Sequence, residues 1–146
     1  MRIMVDTNVI ISGLLYPNSP MNSIMTYIMD QHKLLISSYV LNEFKDVIQR
    51  KFPYCVIEMD ELLNKMNYEL VYTPDTMDFE VFSVRDAADY PVLYTAIVEN
   101  VDILVTGDKD LINVDIKTPK ILTPRQYMDL YMVKSISKER GNPCHL

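Results

Sequence analysis

The sequence predicts an α/β fold: a central parallel sheet of about five strands with helices on both faces. Three observations predict it. Short runs rich in Ile, Leu and Val alternate along the chain with longer segments of helical spacing. Those runs are apolar throughout, as strands buried on both faces must be. The 146 residues are 49% apolar and 23% charged, which suits one globular domain, and the chain shows no linker, repeat or low-complexity tract.

Each element follows in order. Residues 2–6 are an apolar run closed by an acid, a strand that ends at Asp6. Residues 8–15 read as a short helix and 17–20 as a loop. Residues 21–31 carry Ile24, Ile28 and Met21, Met25 and Met29 at helical spacing, so these methionines are expected to fill core. Residues 34–37 form a second strand, and 38–52 a helix that Pro53 ends. A helix over 56–66 and a third strand over 69–72 follow. The polar, acidic stretch 73–90 is a loop with a short strand near 81–84. Residues 89–99 are helical, 102–106 a strand, and 120–122 a last short strand. Residues 124–132 form a helix with Pro124 at its first position and Thr123 as N-cap. The domain therefore occupies 1–132, and the tail 133–146, with Gly141-Asn142-Pro143, is expected to fray.

Composition excludes several functions. The three glycines, Gly13, Gly107 and Gly141, cannot build a phosphate-cradling loop. Cys55, Cys144, His32 and His145 are too few and too scattered for a zinc site or a disulfide framework, so the thiols suit a reducing cytoplasm. The uncharged stretch 7–29 is interrupted by Pro17, Asn18, Ser19, Pro20 and Asn22, which rules out a membrane span, and Asp6 spoils a signal peptide. Twenty acids against fourteen bases, a net charge of -6, argue against a generic binder of phosphate backbone.

The acids themselves are placed suggestively. In open parallel sheets, sites form at the carboxyl ends of strands. Asp6 follows Ile3-Met4-Val5 directly, and Asp108 lies just beyond Val105. Acids after strands also serve as turn residues or N-caps. Asp89 opens a helix whose apolar positions, Val92, Leu93, Ala96 and Ile97, share its face; a plain N-cap is the other reading. Glu43, three after Val40 and four before Val47, lies at the edge of the apolar stripe formed with Leu41, Phe44 and Ile48, where many glutamates are simply solvated. Two carboxylates ~4 Å apart repel by ~4 kcal/mol at an effective dielectric of ~20. Such a group takes up protons or binds a cation, and oxygen ligands favour Mg²⁺ or Mn²⁺.

Four motifs in this order and spacing resemble the PIN-domain ribonucleases. They are Ile3-Met4-Val5-Asp6-Thr7-Asn8, Ser38-Tyr39-Val40-Leu41-Asn42-Glu43-Phe44, Arg85-Asp86-Ala87-Ala88-Asp89-Tyr90-Pro91-Val92-Leu93 and Asp102-Ile103-Leu104-Val105-Thr106-Gly107-Asp108-Lys109-Asp110-Leu111. The resemblance spans residues 1–132 and is greatest to the prokaryotic branch of toxins from toxin–antitoxin pairs. It implies a three-layer α/β/α fold. It also implies that Asp6, Glu43, Asp89 and Asp108 form a catalytic, metal-binding quartet with Asp110 as a fifth acid, supported by Asn8 and Thr106. Asp86 competes with Asp89 as third acid; counting back from the strand 102–106 favours Asp89 and leaves Asp86 beside the site or on the surface. Asn100 stands where Gly is common in the family, and Tyr90 where an acid often stands.

The activity implied is hydrolysis of single-stranded RNA with one or two Mg²⁺ or Mn²⁺ ions, leaving a 5′-phosphate and a 3′-hydroxyl. Arg85 and Lys109 adjoin acids of the motif and could contact RNA phosphates, or serve as exposed solubilising charges. A cognate antitoxin and a homodimer are the implied partners. Tyr90 and Tyr94 could stack bases, although packing accounts for them as well. A binding module of the same fold with weak or no cleavage is the main alternative. An aspartyl phosphatase is disfavoured because Asn8 stands where its second acid belongs, and a flap-type DNA nuclease because no basic run is present. Setting the five acids aside leaves fifteen against fourteen bases, so most of the excess charge can sit in one pocket.

Overall fold

A computed structural model describes residues 1–132; the expected fraying of 133–146 lies outside them. Strands β1 (Arg2–Val5), β2 (Lys33–Ser37), β3 (Glu69–Val71), β4 (Ile103–Val105) and β5 (Lys120–Leu122) run parallel in the order β3-β2-β1-β4-β5. Residues 3–5, 34–36 and 103–105 are almost completely buried, which explains their unbroken apolar character. Chain order reverses at β1. The chain steps outward through β2 and β3, then crosses back to place β4 on the other side of β1. Val5 pairs with Val105, so the carboxyl ends of β1 and β4 meet at this switch point.

The connections are helical: α1 (Thr7–Leu15), α2 (Pro20–Gln31), α3 (Ser38–Lys51), α4 (Val56–Lys65), α5 (Tyr90–Val98), α6 (Lys109–Ile112) and α7 (Pro124–Tyr127). The right-handed rule for parallel crossovers assigns α1–α4 to one face and α5 to the other, giving three layers, and α1 packs on α2, α3 and α4. Ser19 caps α2 ahead of Pro20, and Ser37 caps α3. Thr123 and Gln126 form a reciprocal capping box at the start of α7, with Pro124 in the first turn. Met25 is core, with Met21 and Met29 packed against it. A Cβ at Gly13 would lie 2.7 Å from Met25 Sδ, so the missing side chain lets α1 and α2 close together. Among the described residues no helix is long and apolar enough to cross a membrane.

Three elements differ from expectation. Residues 81–84 form no strand: Phe82 is buried and stacks on Tyr90 with ring centroids 4.1 Å apart, so side-chain packing replaces sheet pairing. The short helix α6 was not anticipated; Asp108 caps it by accepting from Asp110 N at 2.9 Å. The last expected helix is α-helical only to Tyr127 and continues as a π-helical turn, Met128–Met132. That turn buries Met132 and lets the Tyr131 carbonyl accept from Tyr27 Oη at 3.2 Å.

After α5 the backbone turns left-handed at Asn100, with φ 54°. Asn100 N donates to Ile97 O at 3.1 Å and Val101 N to Ala96 O at 3.0 Å, the paired bonds of a Schellman cap. This conformation explains why glycine is common at the position and why Asn is accepted there. Asn100→Val is expected to lower unfolding stability by roughly 1–3 kcal/mol in chemical denaturation, and Asn100→Gly to leave it unchanged or raise it.

Candidate metal centre

Asp6 leaves β1 at the switch point and is 8% exposed. Both its oxygens are held: Thr7 N donates to Oδ1 at 2.7 Å and Thr106 Oγ1 to Oδ2 at 2.7 Å. The same hydroxyl of Thr106, fully buried beyond β4, accepts from Asp108 N at 3.0 Å. One side chain thus ties the acid after β1 to the acid after β4. Burial raises the Asp6 pKa, opposed by the bonds from Thr106 and Thr7; the charges of Glu43 and Asp108 push it further up.

Asp89, Asp108 and Asp110 each present a carboxylate oxygen, all within 4.8 Å of one another. Asp89 ends a 3-10 turn, Ala87–Asp89, and its side chain makes no capping bond to α5, which sets aside the plain N-cap reading. Its Oδ2 is buried without a protein partner. Burial, then a hydrogen bond that protonated Asp89 donates to Asp108, then the charges of Asp108, Asp86 and Asp6, raise the Asp89 pKa to about 7. An ionised carboxylate with a buried unpaired oxygen beside two more carboxylates lacks a counter-charge. A divalent cation supplies one, and an all-oxygen donor set suits a hard cation.

The other expected residues differ in exposure and bonding. Glu43 is exposed on α3, and its charge reaches Asp6 and Tyr39. Asp86 caps the 3-10 turn by accepting from Ala88 N at 3.0 Å, so it orders the turn that delivers Asp89. Asn8 is exposed at the start of α1, and the bonds to Asp6 come from Thr7 and Thr106. Arg85 and Lys109 are exposed. Tyr90 is buried between Phe82 and Tyr94, and its hydroxyl donates to the Asp78 carbonyl. Tyr94 Oη accepts from Asp78 N at 3.2 Å. Both tyrosines are thus committed to holding the loop 78–82.

Tyr39 was missed. Its hydroxyl donates to the Ala88 carbonyl at 3.1 Å, strapping α3 to the turn that carries Asp89. Burial raises its pKa, and the charges of Glu43, Asp89, Asp6 and Asp86 all add to the rise, so it stands among the acids. Its spacing of four from Glu43 puts the two on one helix face, a signal available in the sequence.

The PIN domain family model matches residues 2–110. Among solved structures the chain is similar to VapBC2 from Rickettsia felis, crystallised bound to a DNA fragment from their promoter. Identity is 16% and the TM-score 0.62, over 84% of this chain and 97% of that one. It is also similar to a domain of a functionally unknown protein from Methanocaldococcus jannaschii DSM 2661, with 21% identity and TM-score 0.47, over 74% and 79% of the two chains. No curated protein matches the chain.

The raised Asp89 pKa carries a stability consequence for metal-free protein. The folded chain holds this proton more tightly than the unfolded one, whose value is near 3.8. The resulting stability is complete below that value and is lost as pH rises through about 7. Asp6 acts in the same direction. The melting temperature of chelator-treated protein is expected to fall as pH rises across this window. Asp89→Asn should flatten the fall; a profile unchanged by that substitution would place its origin elsewhere.

Proposed function

The chain belongs to the PIN domain family, and from that premise we propose that it is a metal-dependent endoribonuclease cutting single-stranded RNA. The observation that carries the reading is the convergence of Asp89, Asp108 and Asp110 on one point, with Asp89 Oδ2 buried and unpartnered. We take residues 1–132 as the nuclease domain. Asp6, Asp89, Asp108 and Asp110 would hold Mg²⁺ or Mn²⁺, one or two ions, and Glu43 would complete the set from α3. When bound, the cation supplies a water of lowered pKa and positive charge for the scissile phosphate. Thr106 holds Asp6 and the Asp108 backbone in register. Asp86 and Tyr39 hold the turn that presents Asp89. Glu43, exposed on α3, would ligate the cation or orient the attacking water, and the exposed Lys109 and Arg85 would meet phosphates of the flanking strand. Products would carry a 5′-phosphate and a 3′-hydroxyl.

The motifs resemble the toxin branch, and the fold likeness to VapBC2 supports a cognate protein partner for this chain too. We assign it the toxin role in a toxin–antitoxin pair, acting as a cytoplasmic homodimer.

The test is cleavage of labelled single-stranded RNA with Mn²⁺ or Mg²⁺. Wild type should cut, excess chelator should stop it, and Asp6→Asn or Asp108→Asn should lose detectable cleavage. Equal cutting by wild type and Asp6→Asn would identify a contaminant and defeat the reading. Calorimetry without any divalent binding would favour a binding module instead. Thr106→Val, which touches no cation, is expected to weaken Mn²⁺ affinity or activity by about 10–100-fold, as loss of a ligand-orienting bond does.

A further inference from the structure

A cleft of about 310 Å³ is lined by Phe79, Phe82, Val84, Arg85 and Tyr90, and by Ala87, which opens the turn that ends at Asp89. Its volume is at the small end for a ligand site. The cleft is contiguous with the site in the chain: Arg85 precedes Asp86, and Tyr90 follows Asp89. Phe82 and Tyr90 form its packed floor, with rings 4.1 Å apart and 12° from parallel. Phe79 leans on Tyr90 at 4.9 Å and 39°, yet remains 66% exposed. A large aromatic ring so exposed normally costs hydration free energy, about 25 cal/mol per Å² of apolar surface. Here the chain spends several bonds to keep that ring where it is. The Tyr90 hydroxyl donates to the carbonyl of Asp78, Asp78 N donates to Tyr94 Oη at 3.2 Å, and Glu80 N donates to Asp78 Oδ1 at 2.9 Å.

We infer that this cleft is a nucleobase subsite, in which Phe79 stacks one base of a single strand and Arg85 meets the adjoining phosphate. The inference rests on the reading of the chain as an RNA-cutting enzyme. A flat, exposed ring on a braced loop suits a base better than an aliphatic group, since stacking needs a rigid π-face. Arg85, the one cation among the cleft's lining residues, suits the backbone. A strand anchored here would run from the cleft past Asp86 and Asp89 to the carboxylates. The expectation that Tyr90 and Tyr94 stack bases is thereby moved to Phe79, because the two tyrosines already pack against protein rings.

The chain has no tryptophan, so Phe79→Trp introduces a single indole at the proposed contact, which can be excited apart from the tyrosines. Short single-stranded oligouridine and oligoadenosine should quench it with the same half-saturation that anisotropy reports for a labelled strand. An abasic ribose-phosphate oligomer of equal length should bind without quenching. Phe79→Ala should weaken binding, or raise KM with kcat unchanged, by roughly 5–150-fold. Arg85→Gln should lower the salt dependence of binding by roughly one phosphate's share without abolishing quenching in the Trp background. Quenching by the abasic oligomer equal to that by RNA, or wild-type affinity in Phe79→Ala, would overturn the subsite even if cleavage is robust. Base-dependent quenching by a protein that never cleaves RNA with Mn²⁺ would sustain the subsite and defeat the nuclease reading, so the two failures are distinguishable.

Discussion

The hydroxyl of Thr106 donates to Asp6 Oδ2 and accepts from Asp108 N, joining the ends of the two central strands. Remove it and the first acid keeps only the amide of Thr7. The arrangement matters because like charges are being concentrated where water is scarce. Asp6 is nearly buried, and Asp89 has an oxygen with no partner. Neutral donors cannot cancel that charge, but they can hold each carboxylate in one orientation while it waits for a counter-ion. The capping bonds extend the same logic. Asp108 accepts from Asp110 N and Asp86 from Ala88 N, so acids also serve as the caps that shape their own supports. The turn-residue and ligand readings of these acids are therefore not exclusive.

Much of this was legible in the chain because it is written locally. The strand runs ending at Val5 and Val105 and the cap at Thr123 all depend on neighbours within a few positions. The acids after strands were legible for the same reason. What escaped depends on distant pairs. Tyr39 bonds to a carbonyl 49 residues away, and Tyr94 receives the amide of Asp78 from across the loop. Phe82 was read as strand because it is apolar in a short apolar run, but its partner is the ring of Tyr90 and not a neighbouring strand. Glu43 shows the converse limit. Its helix position was read correctly as the edge of the stripe, yet periodicity does not say which edge of a stripe faces a charged cleft.

Electrostatics and packing divide the rim between them. The side of the site built from β1, β4 and α6 is organised by hydrogen bonds among acids, hydroxyls and amides. The side built from residues 78–94 is organised by stacked rings, with Tyr90 at the centre of Phe79, Phe82 and Tyr94. Asp89 stands at the junction of the two: its turn is capped by Asp86, strapped by Tyr39 and continued directly into Tyr90. The first half places charge, and the second supplies a stiff wall beside it.

The position of β1 in the middle of the sheet has a consequence for the chain as it is made. β1 and Asp6 are made before their partner Thr106, which follows 100 residues later. At a synthesis rate of ~5–20 residues/s, that is an interval of roughly 5–20 s during which one edge of β1 has no neighbour. Asp89, Asp108 and Asp110 are likewise absent or unplaced until then. A nascent chain therefore carries the first acid long before it can assemble the group around it. The carboxylate group cannot be complete before Asp110 is made, and β5, the edge strand beyond β4, follows it in the chain.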